Sequence, residues 1–167
     1  MTTSAPAAPT IRLATPDDEQ AILGLWIGLL SYHRSIEDVW PHRWSGSREG
    51  WPERLREFLR GVWGDPERQA VFVAVEHEEI IGFVRVGLHG EGPLPARIET
   101  LFVAEEHRGT GVARALVEAA ERWCLDHGAD EVGVEFIAAN EGAQRTYDHL
   151  GYRPFLVTYM RRLGEAP

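Results

Sequence analysis

The sequence has no lysine. All 17 basic residues are arginine, against 26 acidic ones, and the net charge is −9. That balance disfavours nucleic acid or an anionic membrane as the main partner, since both select for basic surfaces. The arginine, alanine and glycine bias is what a GC-rich genome produces. One cysteine, Cys124, excludes an intrachain disulfide and fits a reducing cytoplasm. No apolar run approaches the roughly 18 residues that span a bilayer. The first ten residues, MTTSAPAAPT, lack the basic start and apolar core of a secretory signal, and residues 1–9 read as a disordered tail. Histidines 33, 42, 77, 89, 107, 127 and 149 show no metal-ligand spacing, so no metal is expected. No internal repeat or linker interrupts the rest. What is present, 167 residues at 44% hydrophobic and 26% charged, suits one globular domain over residues 10–167.

Residues 10–14 alternate and predict a first strand. Thr15, Pro16 and the acids behind them are a helix-start signal, and Ile22, Leu25, Trp26, Leu29 and Leu30 then share one helical face. Residues 31–50 read as irregular. A second helix over 51–63 turns Leu55, Phe58, Leu59 and Val62 inward. Residues 70–76 and 80–88 form a hairpin, and a strand follows over 96–103. The helix over 110–127 carries Val112, Leu116, Ala119 and Trp123 on one stripe and stops at Gly128. A strand over 131–138, a short helix over 140–150 and one or two closing strands over 152–163 complete the chain. The order β-α-α-β-β-β-α-β-α-β predicts an α/β (α+β) fold: a mixed, mostly antiparallel sheet of six to seven strands with helices on both faces.

The chain is organised around residues 99–116, ETLFVAEEHRGTGVARAL. Leu101, Phe102 and Val103 end a strand, a polar turn follows, and Arg108-Gly-Thr-Gly-Val-Ala opens a helix. Backbone N–H groups at a helix start favour a phosphate or pyrophosphate. Gly109 and Gly111 let an anion approach the backbone closely. The pattern Arg108-x-x-Gly111-x-Ala113 resembles the acyl-CoA pyrophosphate loop of the GCN5-related N-acetyltransferase (GNAT) superfamily. A second stretch, Asn140-x-x-Ala143-x-x-x-Tyr147-x-x-x-Gly151-Tyr152, resembles that superfamily's Asn-x-x-Ala-x-x-x-Tyr-x-x-x-Gly-Phe signature, with Tyr in the last place. Both stand in the expected order and in the expected secondary structure.

The resemblance implies an acetyl-CoA-dependent N-acetyltransferase that moves an acetyl group directly to a primary amine of a small molecule or protein. Acetyl-CoA would be the co-substrate. The amides of Arg108, Gly109, Thr110, Gly111, Val112 and Ala113 would hold its pyrophosphate. The pantetheine arm would lie along Leu101, Phe102 and Val103, in the superfamily's opening between two splayed strands. The Val103 N–H would face the thioester oxygen, a donor worth roughly 3–4 kcal/mol, and Asn140 would contact the pantetheine or thioester region. Tyr147 would be the general acid. A phenol of pKa about 10 stays protonated at neutral pH and can donate to a departing thiolate. Seven residues are about two helical turns, so Asn140 and Tyr147 are expected to point the same way; the competing reading makes Tyr147 a core residue. Glu99 has two readings that stand level. One is a general base drawing a proton from the amine through water. The other is a glutamate that orients substrate or pairs with Arg97 or Arg85. Alternation puts Glu99 on the side of Leu101 and Val103.

In this fold the first two helices and their connection usually wall the acceptor side. Tyr32, Glu37 and Trp40 are the candidate acceptor residues, since aromatics with acids can bind an ammonium. The loop over 87–95 is a candidate rim. Cys124, mid-helix on the apolar side, reads as an inert buried thiol. Two other classes compete. A dinucleotide-binding oxidoreductase lacks the third glycine of its fingerprint. A catalytically silent acyl-CoA-binding sensor or partner module would keep the loop, but the presence of both Glu99 and Tyr147 speaks against it. Dimerisation through the C-terminal strands is compatible with the pattern and is not fixed by it.

Overall fold

The computed structural model describes residues 8–36, 50–90 and 94–161. Strand β1 (Thr10–Leu13) leads through a turn of 3-10 helix into α1 (Glu19–Ile36). Asp18 fixes that junction. It accepts a bidentate pair from Arg12 Nη1 and Nη2 at 2.7 and 2.8 Å and the Thr15 backbone N–H at 2.8 Å. α1 runs six residues past the expected start of irregular chain, because residues 31–36 contain no glycine or proline to stop it. Tyr32 is therefore a helical residue. Helix α2 (Trp51–Gly64) follows.

Strands β2 (Gln69–Glu76), β3 (Glu79–Leu88) and β4 (Ala96–Val103) continue from β1 as antiparallel neighbours. Helix α3 (Val112–Asp126) crosses over to β5 (Gly133–Val134), which pairs parallel to β4. Helix α4 (Glu141–Leu150) comes last. The sheet order is β1-β2-β3-β4-β5.

Two cores lie on opposite faces. On one, Val112, Leu116, Val117, Ala120, Trp123 and Cys124 of α3 pack on Ile81, Val84, Val86, Ala96, Ile98 and Val103. That stripe follows the helical period. On the other, Ile22, Leu23, Trp26 and Leu29 of α1 with Leu59 and Val62 of α2 cover Val71, Val73 and Phe83. Each fully buried aliphatic side chain here contributes roughly 1.5–3 kcal/mol by leaving water.

The described residues hold five strands, not six to seven. The expected strand over 131–138 shortens to Gly133–Val134, which touches β4 only through Arg97 and Ile98. The expected closing strands do not form over 152–161; residues 162 and 163 lie outside the described residues. Phe155, Val157 and Tyr159 there are 70%, 72% and 92% exposed. A strand needs an edge to ladder onto, and two residues of β5 offer little.

Candidate active site

The short β5 leaves an opening beside β4. After Ile98 the β5-side edge of β4 has no strand partner among the described residues. The Ala104 N–H donates to the Ile81 carbonyl across β3, at 2.9 Å. Successive residues of a strand turn their N–H and C=O to opposite edges. Leu101 and Val103 therefore direct their amides into the opening. Consistent with this, the Arg108 Nε–H donates to the Val103 carbonyl at 3.0 Å.

The glycine loop continues from that edge. A turn of 3-10 helix over Glu105–His107 brings the chain round, and the Thr110 hydroxyl donates to the His107 carbonyl at 2.7 Å. Gly109 and Gly111 have φ of +78° and +92°, backbone that a side chain strains. A Cβ at either would stand in open space, so their backbone faces outward unobstructed. Gly111 caps α3 with no side-chain oxygen over the first N–H groups. Exposed glycines leading into uncapped helix amides are a fitting cradle for a pyrophosphate. The Arg108 guanidinium lies 5.3 Å from the Tyr32 ring centroid and 5.4 Å from that of Phe102, bracing the loop against α1.

Asn140 and Tyr147 play different structural parts. Asn140 is the N-cap of α4, and its Oδ1 accepts the Ala143 N–H at 3.0 Å. The Asn-x-x-Ala spacing is thus a capping spacing. Asn140 sits outside the helical turn with ψ of 73°, so helical periodicity does not relate its direction to that of Tyr147. The Tyr32 hydroxyl lies 3.5 Å from Asn140 Oδ1, at the long limit of a hydrogen bond. Tyr147 is buried, stacked on Phe136 at 5.8 Å and edge-on to Tyr152 at 5.3 Å. Burial pushes its phenol well above the usual value, so it stays protonated throughout the neutral range.

Glu99 stands at a β-bulge. Arg85 opposes Thr100 and Val86 opposes Ile98, which leaves Glu99 as the extra residue. The bulge shifts the alternation by one. Ile98, Leu101 and Val103 all join the α3 core, whereas Phe102 packs with the α1–α2 core. The expectation that Glu99 shares a side with Leu101 and Val103 therefore fails. Its carboxylate instead meets the Arg85 guanidinium through Nη2, and His89 Nε2 lies 2.5 Å from its Oε1. Arg85 is buried, donates to Gln69 Oε1 at 3.2 Å and lies 4.2 Å from the Phe58 ring centroid. Burial and the neighbouring Arg97 push Arg85 down to about 10, which leaves it charged at neutral pH. A cavity of about 220 Å³ opens here, lined by Arg85, Arg97, Ile98, Glu99 and Glu135.

Residues 33–152 match the model of the acetyltransferase (GNAT) family. This chain belongs to the acetyltransferase (GNAT) family. It is 30% identical to a mycothiol acetyltransferase of Thermobispora bispora, over 95% of this chain and 52% of that protein. It is 32% identical to an aminoglycoside N(6')-acetyltransferase type 1 of Stenotrophomonas maltophilia, over 75% and 74% of the two chains. Its fold is similar to that of the aminoglycoside acetyltransferase AAC(6')-Iy bound to a CoA bisubstrate analogue. There the TM-score is 0.65 at 21% identity, covering 93% of this chain and 99% of that one. The chain spans between 38% and 52% of the length of the mycothiol acetyltransferases it matches.

Against that GNAT frame, the structure brings Leu101, Phe102, Val103, Arg108, Tyr32 and Asn140 around one opening and sets Glu99 at the neighbouring cavity. Glu37 and Trp40 lie outside the described residues, as do residues 91–93 of the expected rim. Cys124 is buried, and burial with Glu121 nearby pushes its thiol up to about 11, well away from a nucleophile's range. No helix among the described residues is long and apolar enough to cross a membrane. The sequence names Arg85 and Arg97 only as candidate partners of Glu99, and gives His89 no role beyond lying in the 87–95 rim. The available signal was Arg85 itself, a charge inside the apolar run of β3, which a buried strand tolerates only with a partner.

Proposed function

We propose that this chain transfers the acetyl group of acetyl-CoA directly to a primary amine, in a ternary complex. The opening beside β4, continuous with the Gly109–Gly111 cradle at the head of α3, carries this reading. Backbone amides of residues 108–113 hold the pyrophosphate, and the outward-turned edge of Leu101 and Val103 receives the pantetheine arm.

Acyl transfer then needs an oxyanion donor, a proton acceptor for the amine and a proton donor for the sulfur. Both the Leu101 and Val103 N–H groups suit the first role. At about 3.3 Å rise per residue, Leu101 lies about 7 Å along the strand from Glu99, and Val103 about 13 Å. Leu101 is therefore the better oxyanion donor if Glu99 takes the amine's proton through one water. Tyr147, held protonated by burial, is the donor to the thiolate. Asn140 offers its side-chain N–H₂ to the pantetheine region while its oxygen caps α4.

The acceptor belongs to the small or protein-borne amines, in a cytoplasmic setting. The test is CoA-thiol release with acetyl-CoA over a panel of amines. Amine-dependent release supports the enzyme. Acetyl-CoA binding without release from any amine favours the silent acyl-CoA-binding module instead.

A further inference from the structure

We infer that the acceptor is a small amine that also carries an anionic group, a carboxylate or a phosphate, held by Arg97 in the cavity beside Glu99. The inference rests on the acetyltransferase reading above.

The size of the cavity sets the first limit. At about 220 Å³ it falls below the roughly 300–1,000 Å³ of pockets that enclose drug-sized ligands. It has room for the charged end of a small acceptor and is too small to enclose a multi-ring one.

The charges set the second. The two carboxylates of the cavity are not equivalent. Glu99 is already matched by Arg85 and His89. Glu135 is 67% exposed at its side chain, and its ion pair among the described residues is with Arg97 Nη1, at 2.6 Å. An ion pair with so exposed a member is weak and readily exchanged. Arg97 is the better-held member, with a side chain 31% exposed, and its buried Nε has no acceptor among the described residues. A guanidinium presents a fork that matches two oxygens of one carboxylate or phosphate. Glu135 fills part of that fork, and an anionic group on the acceptor can take its place.

The local field agrees. Burial lowers the His89 imidazole from its ordinary value, and Arg97, Arg85 and Arg68 each lower it further, against an opposing contribution from Glu135. Among the described residues, the guanidiniums of Arg68, Arg85 and Arg97 outnumber the carboxylates of Glu99 and Glu135 at this corner, in a chain whose net charge is −9. Such a field repels a polycation. It also favours the uncharged amine over its ammonium form, which is the form that attacks a thioester. An amine bearing its own anionic group is attracted as a whole and kept nucleophilic at the nitrogen.

The experiment compares amino acids, their carboxamides, aminoalkyl phosphates, spermidine and kanamycin, by thiol release and by calorimetric titration with and without CoA. Wild type, Arg97→Gln and Glu135→Gln are run side by side. The expected result is a preference of about ten- to hundredfold for anionic amines over their amides, the size of one charge-assisted contact. The carboxylate and phosphate arms tell which anion it is. Arg97→Gln brings that ratio close to one while the acetyl-CoA melting shift stays. Glu135→Gln raises affinity for anionic amines by removing their competitor. Preference for amides or polycations, binding of no anionic amine, or a ratio untouched by Arg97→Gln overturns the inference and leaves the acetyltransferase reading standing. Loss of acetyl-CoA binding is a separate failure, because the titrations without CoA read binding of the amine independently of it.

Discussion

Tyr147→Phe separates a catalytic phenol from a core ring. The substitution removes one oxygen and keeps the ring that stacks on Phe136 at 5.8 Å and meets Tyr152 edge-on at 5.3 Å. Packing is therefore nearly unchanged, and stability should move by less than about 1 kcal/mol. For a chain of this size that is a melting-point change of no more than about 4 °C. Removing a general acid costs about 10²–10⁴ in rate, equivalent to about 2.7–5.4 kcal/mol on the barrier. Because burial raises the phenol well above its ordinary value, the wild-type rate should show no basic limb from Tyr147 up to about pH 10, the unperturbed tyrosine value. The assay is thiol release at saturating acetyl-CoA with the best amine of the panel, alongside melting of each variant. A kcat within threefold of wild type, with the fold intact, would refute the acid role and return Tyr147 to the core.

Three further outcomes follow from the same geometry. Glu99→Gln removes a proton acceptor and leaves Arg85 buried without its countercharge. If Glu99 is the base, kcat/KM falls about 10²-fold or more and the acidic limb of its pH profile disappears; a retained limb with a lowered melting point marks a purely structural carboxylate. Gly111→Ala meets no neighbour but must adopt φ of +92°, so it should cost about 1–2 kcal/mol by melting and raise the KM for acetyl-CoA. Asp18 is held down to about 2, first by its hydrogen bonds from Arg12, so the folded form binds its proton less readily than the unfolded chain. Its contribution, about 1–2 kcal/mol given the partly exposed Arg12, is present above pH 4 and lost as the pH falls towards 2. Acid titration of melting for wild type and Asp18→Asn measures it, and identical curves would contradict it.

The sequence carries the order of elements and the glycine loop plainly, because both are local signals. The α3 stripe from Val112 to Cys124 repeats at helical spacing and could be counted directly. The bulge at Glu99 could not. One inserted residue changes which face Leu101 and Val103 occupy, yet the apolar pattern of β4 reads acceptably in either register. Arg85 and Arg97 could both be named as partners of Glu99, but the choice of Arg85 depends on which residues face each other across the ladder, and that register is not a local property. Tyr32 was expected in an irregular stretch, although the lack of any breaker before residue 36 was visible. The missing closing strands show the opposite error. Residues 155–160 have the composition of a strand, but a strand exists only where an edge is offered. Asn140 could be matched to a signature by spacing, and its hydrogen bond from the Ala143 N–H, with its non-helical ψ, reveals it as a cap.

If the Gly109–Gly111 loop and the edge of β4 hold acetyl-CoA, the melting temperature must rise when it is added. Binding at one hundred times Kd stabilises by about 2.7 kcal/mol, which for this chain length is a rise of about 5–10 °C. Wild type should show that rise, and Gly111→Ala a smaller one. No shift at saturating acetyl-CoA, with the protein folded, would contradict binding there.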